Sequence, residues 1–308
     1  MIKLSLKIRT VLGDIDKEKL GFTYPHEHLW CIPPVQQKDR DFELSNYDAS
    51  LKELKTFKEI GGDSLVDGSA LDYGRDGGKL KSMAEESGVN VIAVTGFNKH
   101  VYYQDWVATK SIRELADMMI DDIKNGMDGT DAKAGILKTG SWYNYIDPLE
   151  EKVTRAVAVA HHETNAPIFV HTEYGTMGVE MLEILEEEKV DLKNVVVGHS
   201  DRNADEYYHL QLLNKGAYIQ FDGVGKIKYY PDSVRVRLIK NVLQHGFGNR
   251  LLISGDMGRQ SYLNAYKGGP GFKFIKTKFI PRLIDEGISK EQIHAIFYNN
   301  PADWLAKF

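Results

Sequence analysis

His26, His28, Lys138, His171, His199 and Asp256 are spread over most of a 308-residue chain, yet each stands where a short β-branched or apolar run ends. Imidazole nitrogens and carboxylate oxygens are ligands for zinc-like or manganese-like ions. His26 and His28 flank Glu27 in PHEHL. Residues i and i+2 share a face of a strand, so both rings can point at one ion while Glu27 points away. An HxH pair alone is also what ordinary polar residues at a strand end look like. His171 closes PIFVH and His199 closes VVVGH; one such histidine is commonly a satisfied core residue, whereas two on successive strands beside an HxH point to metal. Asp256 closes LLISGD, where a carboxylate serves either as a helix N-cap or as a ligand that handles the proton of an activated water. Barrel enzymes take their chemistry from the C-terminal ends of several strands, so distance along the chain does not count against a shared two-metal hydrolytic site.

Lys138, in AGILKTG, is the residue that least fits an ordinary strand end. Near two cations an ammonium is repelled, and burial disfavours its charge. A neutral amine adds carbon dioxide to give a carbamate, a bidentate anion able to bridge two metals. The competing reading is a lysine that snorkels to a barrel rim. His161, His162, His209 and His245 fall in helix-like segments and read as surface or packing residues. Cys31 is the only cysteine, which excludes an intramolecular disulfide and a thiolate cluster and favours a buried structural thiol over a ligand.

Something must hold these six side chains together. Strand-like runs fall at 22–28, 64–67, 91–95, 135–138, 168–171, 195–199, 218–221 and 251–254, eight in all. Segments with apolar residues three and four apart lie between them, at 50–60, 78–87, 111–124, 148–162, 177–188, 205–215 and 231–245. Alternating strands and helices imply parallel crossovers, and eight such units imply a closed (β/α)8 TIM barrel in the α/β class, here a single domain over 1–308. An open doubly wound sheet is the alternative, but no GxGxxG follows the first strand. The opening segment reads as a short N-terminal hairpin packed below the barrel. The closing one reads as a C-terminal helix with Ser289 and Gln292 as a capping box and a stop near Asn300 and Pro301.

A net charge of −5 argues against general nucleic-acid or membrane-surface binding. Residues 257–284 nevertheless contain no Asp or Glu but carry Arg259, Lys267, Lys273, Lys276, Lys278 and Arg282, which suits an anionic ligand. The first residues alternate basic and apolar side chains without a signal-peptide h-region, and no stretch approaches the ~20 apolar residues of a membrane span. A cytoplasmic protein is expected, and a homodimer on base rate alone.

The sequence resembles the phosphotriesterase-like family of the amidohydrolase superfamily. The marks are PHEHL at 25–29, LDYGRD at 71–76, AVTGF at 93–97, GILKTG at 135–140, VHTE at 170–173, VGHSDR at 197–202, FDGVGK at 221–226, SGD at 254–256 and NNP at 299–301. What the resemblance implies is a barrel with two divalent metal ions. His26, His28 and Asp256 would hold the more buried ion and His171 and His199 the more exposed one, with a carbamylated Lys138 and a hydroxide between them. Zn, Mn, Co or Fe would suit such ligands. Arg75 and Asp76 read as a structural ion pair or loop anchor.

Family membership leaves the substrate open. Members cleave phosphotriesters, long-chain acyl-homoserine lactones, or furanose lactones bearing a phosphate. The first two are expected to use apolar pockets, whereas the loops after strands seven and eight here carry Lys226, Lys228, Arg259 and Tyr262, donors suited to a phosphate. The resemblance to phosphorylated sugar-lactone hydrolases favours Lys228, Arg259 and Tyr262 among them; solvated loop charges are the bland alternative. After the third-strand TG, members acting on neutral lactones often carry an aromatic with a polar handle, where this chain has Phe97 and Asn98. The expectation is a metal-dependent hydrolase opening a small anionic substrate, a phosphorylated sugar 1,4-lactone. A phosphotriesterase or acyl-homoserine lactonase is the enzymatic alternative. A sugar-phosphate-sensing barrel without turnover is the non-enzymatic one, and retention of every expected ligand speaks against it.

Overall fold

The computed structural model describes residues 6–34 and 37–308. Its first feature is an antiparallel hairpin of β1 (Lys7–Thr10) and β2 (Gly13–Asp16), and Met1–Ser5 of the leading segment lie outside the described residues. Eight parallel strands follow: β3 (Thr23–Glu27), β4 (Ser64–Asp67), β5 (Asn90–Gly96), β6 (Ala134–Ser141), β7 (Ile168–Thr172), β8 (Val195–Val197), β9 (Tyr218–Phe221) and β10 (Leu251–Ile253). Each is hydrogen-bonded to its successor in the chain, which is the sheet order of a barrel.

Helices α1 (Tyr47–Glu59), α2 (Gly77–Ser87), α3 (Asp105–Thr109), α4 (Ile112–Lys124), α5 (Pro148–Thr164), α6 (Gly178–Glu187), α7 (Glu206–Asn214) and α8 (Asp232–Gln244) fill the crossovers. Their starts are written locally. Ser111 with Glu114 and Asp147 with Glu150 form capping boxes at α4 and α5, satisfying N–H groups that the first turn leaves unpaired. No helix among the described residues is long and apolar enough to cross a membrane.

The apolar runs work on two faces at once. Along β5, Val91 and Ala93 face the helices while Ile92 and Val94 face the barrel axis. The same split separates Val195 and Val197 from Val196, and Leu251 and Ile253 from Leu252. Strands buried on both sides read as continuous rather than alternating hydrophobic runs. Ile8 of the hairpin and Trp304 and Leu305 near the C-terminus join that inner cluster and plug the barrel floor, leaving the opposite end for polar side chains.

Three expectations need correction. The run at 195–199 leaves the strand after Val197, because Gly198 slides past Phe169 so closely that a Cβ there would lie 2.2 Å from the ring. His199 then sits in a left-handed turn (φ 57°). The last strand likewise ends at Ile253, with Asp256 at φ 44°. At the C-terminus, Ser289 and Gln292 do form the capping box, opening α10 (Lys290–His294), but the helix does not stop at Asn300 and Pro301. A π-turn (Ala295–Asn299) leads directly into α11 (Asn300–Leu305). Proline lacks an N–H, and a π-turn shifts the hydrogen-bond register at the point where that donor is missing. The same arrangement precedes Pro281, where a π-turn (Ile275–Phe279) runs into α9 (Ile280–Asp285).

Candidate metal centre and the cavity above it

Strand parity decides which side chains reach the barrel mouth. Ile136 and Phe169 face the axis, so Lys138 and His171, two residues further along β6 and β7, face it one layer higher. His26 and His28 share one face of the β3 strand end. Glu27 has the opposite parity and points into the seam between β3 and β10, which has no backbone ladder. Side chains close that seam. Ser254 Oγ lies 2.8 Å from both His26 O and Glu27 Oε1 and accepts from His26 N at 3.1 Å. Glu27 also accepts from Gly255 N at 2.6 Å and Met257 N at 2.8 Å, and Asp256 N donates to His26 O at 3.0 Å. Burial pushes the Glu27 carboxyl up to about 8.

All four histidines are held from behind. His26 Nδ1 lies 3.3 Å from Asp222 Oδ2, and His199 Nδ1 lies 2.7 Å from Asp222 Oδ1. Ser69 Oγ is 2.9 Å from His28 Nδ1, and Glu173 Oε2 is 3.1 Å from His171 Nε2. With the carboxylates accepting N–H from the outer ring nitrogens, the inner nitrogens of His26, His171 and His199 would be the atoms that offer lone pairs to a metal. Those inner atoms converge. His171 Nδ1 and His199 Nε2 are 2.8 Å apart, and His28 Nε2 is 3.4 Å and His26 Nε2 3.8 Å from Asp256 Oδ1. His26 Nε2 is buried with no partner among the described residues. Burial brings His26 down to about 3 and His171 well below its ordinary range, so both are neutral imidazoles, the form that ligates metal. His26, His28 and Asp256 offer ligand atoms within 4.8 Å of one another. His26, His199 and Asp222 do so too, but Asp222 occupies the outer nitrogens and so orients the rings.

Lys138 is 2% exposed, and burial lowers its pKa. Its Nζ donates to Gly68 O at 2.6 Å. Gly68 also lies against the His26 ring, where a Cβ would come within 2.5 Å of it. Asp256 divides its two oxygens. Oδ1 faces the histidines, and Oδ2 accepts from Arg202 Nη2 and Lys226 Nζ, both at 2.7 Å. Burial opposes its ionisation, but the Lys226 charge and then His28 hold it well below the usual carboxylate range.

Above these residues lies a cavity of about 430 Å³. His26, His28, Lys138, His171, His199 and Asp256 all line it, as do Lys226, Arg259 and Tyr262; Lys228 does not. Lys226 is turned inward onto Asp256 instead of standing at the rim. Arg259 lies over the Phe42 ring at 3.6 Å, with Nη1 on Asp39 at 2.6 Å and Asp41 at 3.2 Å. The Tyr262 hydroxyl has no partner among the described residues, and Lys228 packs over the Tyr229 and Tyr262 rings. Of the six basic residues in 257–284, only Arg259 reaches the cavity. Arg75 and Asp76 do not pair with each other: Arg75 is tied to Asp122, Asp128 and Val94 O, and Asp76 caps α2. His161 and His209 contact the backbone carbonyls of Ala166 and Ser200. Cys31 is buried, its thiol donating to Phe42 O.

The sequence model of the phosphotriesterase family matches residues 6–305. The chain belongs to the phosphotriesterase family. Among its relatives in that family, the phospho-furanose lactonase of Mycoplasmopsis synoviae is 36% identical over 321 residues, covering 97% of this chain and 91% of that protein. The crystal structure of a lactonase from Listeria monocytogenes matches with a TM-score of 0.95 at 39% identity, over 98% of this chain and 99% of that one. The phosphotriesterase homology protein of Escherichia coli, solved with phosphate in its active site, matches with a TM-score of 0.91 at 36% identity, over 93% and 99%. This phosphotriesterase-family chain is a hydrolase.

Four polar residues of this phosphotriesterase-family site escape a reading aimed at ligands. Asp222 lies in FDGVGK, Glu173 in VHTE, Arg202 in VGHSDR, and Ser69 follows β4. The available signal was positional, since Asp222 directly follows β9 as Glu173 follows β7. Glu27 points away from the His26 and His28 rings as expected, but its work at the seam depends on Ser254, far along the chain. Glu27→Ala leaves the buried Gly255 and Met257 N–H groups unpaired and is expected to lower unfolding free energy by about 3 kcal/mol. Urea denaturation measures this, and an unchanged midpoint would mean that other contacts hold the turn.

Proposed function

We propose that this hydrolase opens a phosphorylated furanose 1,4-lactone at a two-metal centre. The observation that carries the metal part is the set of convergent ring nitrogens, each fixed by a carboxylate or hydroxyl behind it. His26, His28 and Asp256 would hold one ion and His171 and His199 a second, with Lys138 as a carbamate between them. When bound, two divalent ions, zinc or else manganese, cobalt or iron, supply Lewis-acid polarisation of the lactone carbonyl and ionisation of a water. Asp222 and Glu173 keep the imidazoles in one tautomer and one orientation. Asp256 takes the proton of the attacking water at Oδ1, because Arg202 and Lys226 occupy Oδ2. It then returns that proton to the ring oxygen as the C–O bond breaks.

Asp256→Asn is expected to keep the fold and lose at least a hundredfold in kcat, the scale of a lost proton-transfer group; near-normal kcat would remove this role. Arg259 and Tyr262 support the phosphate. A guanidinium fixed on one nitrogen keeps other donors for an oxyanion, and the Tyr262 hydroxyl lacks a partner among the described residues. Phosphate in the active site of the Escherichia coli relative and the phospho-furanose lactonase activity of the Mycoplasmopsis relative support the same reading.

A substrate panel tests it. Metal- and bicarbonate-supplemented enzyme is given a furanose 1,4-lactone 5-phosphate, a long-chain acyl-homoserine lactone and a phosphotriester, and ring opening or ester cleavage is followed by NMR. The first should turn over fastest, and chelation of the metals should abolish its turnover. Faster cleavage of either of the others would replace the proposed substrate. Sugar-phosphate binding without product in a fully metallated sample would favour a sensor.

A further inference from the structure

The phosphate and the metal centre leave hydrogen-bonding groups unused on one wall of the cavity, the wall built after β5 and β7. Asn98, Lys99 and Glu173 line it. Asn98 is 7% exposed, and its side-chain amide makes no hydrogen bond among the described residues; its Oδ1 is buried without a partner. Leaving a buried amide carbonyl unpaired is unfavourable, so the position is poised for a partner. The backbone beneath it is fixed. Asp72 accepts from Asn98 N with both oxygens, at 2.9 and 2.8 Å, and a Cβ on Gly140 would lie 2.2 Å from Asn98 O.

Its neighbours also carry spare hydrogen-bonding capacity. Lys99 Nζ donates to Glu173 Oε2 at 2.6 Å and lies 4.8 and 4.9 Å from the Tyr102 and Trp142 ring centroids. That leaves further ammonium protons. Oε1 of Glu173 makes no hydrogen bond among the described residues, because His171 and Lys99 both use Oε2. An amide that donates and accepts, an ammonium and a carboxylate oxygen together match sugar hydroxyls, which also donate and accept.

Strand order gives the direction. The loop after β10, which carries Arg259 and Tyr262, lies across the barrel mouth from β6, the strand that β5 and β7 flank. With a 5-phosphate on the first side and the carbonyl over the histidines, the ring edge carrying the C2 and C3 hydroxyls faces the second. We propose that Asn98, flanked by Lys99 and Glu173, is the subsite that recognises the hydroxyl on the carbon next to the lactone carbonyl. This rests on the lactone reading above.

The test pairs 2-hydroxy and 2-deoxy furanose 1,4-lactone 5-phosphates with metallated wild type and Asn98→Leu, an apolar replacement of similar volume. The wild type should prefer the 2-hydroxy compound at least tenfold in kcat/KM. Asn98→Leu should lose that preference through the 2-hydroxy compound alone, keeping its rate on the 2-deoxy one. Equal wild-type rates, or an equal loss on both compounds in the variant, would overturn the proposal. Calorimetric binding of the 1,4-anhydro sugar 5-phosphates, with and without the 2-hydroxyl, gives a readout without turnover; absence of a 2-hydroxyl effect there also overturns it. Asn98→Ala serves in both measurements if the leucine form does not fold. Loss of the 5-phosphate dependence with the 2-hydroxyl preference intact would sink the phosphate reading and leave this subsite standing.

Discussion

Lys138→Met is expected to lower kcat/KM at least a thousandfold, about 4 kcal/mol of transition-state stabilisation, and to strip most of the bound metal. The variant is chosen because it separates two readings of a buried lysine. Lys138 is 2% exposed, its one hydrogen bond among the described residues runs to Gly68 O, and burial disfavours its charge. If it served only as packing, an unbranched apolar residue of similar size would be neutral or stabilising, since replacing a buried charge by an apolar group often is. The metal-free protein should therefore be as stable as wild type or more so, while metal content, measured by elemental analysis, and turnover collapse together. A variant that keeps both its metal and its rate would return Lys138 to the scaffold.

Arg259→Met is expected to cost about a hundredfold in kcat/KM on the phosphorylated lactone, about 2.7 kcal/mol, and almost nothing on the same lactone without phosphate. Arg259 is well placed for such selectivity. It is fixed by Asp39 and Asp41 and stacked on Phe42, so little freedom is lost when an anion arrives. Equal losses on both lactones would show that Arg259 braces the loop, which Asp41 also grips through Ser261 N at 2.8 Å and the Ser261 hydroxyl at 2.6 Å. Lys228→Met should matter less, because Lys228 stands outside the cavity lining and packs on tyrosine rings.

Much of this was legible in the order of residues because strand periodicity is rigid. Once Ile136 or Phe169 is assigned to the axis, the residue two places on follows, and the six ligand candidates do come together in one cavity. Groups that act on other side chains were harder to read. Asp222 does not line the cavity and matters because it holds His26 and His199 from behind. Its role becomes visible only when three strand ends are brought side by side. Cationic loop residues were legible as charges, while their partners were not. Arg259 meets carboxylates on the loop after β3, 218 and 220 positions away in sequence, and Lys226 turns inward to Asp256. Glycine contacts shortened β8, and π-turns carried the last helices through prolines at which sequence rules end them.

The most direct measurement compares kcat/KM for matched furanose 1,4-lactones with and without a 5-phosphate, using enzyme supplemented with divalent metal and bicarbonate. The expected result is a preference of at least a hundredfold for the phosphorylated compound. Equal rates would contradict it, reducing Arg259 and Tyr262 to loop residues and leaving the metal centre to serve a different ester.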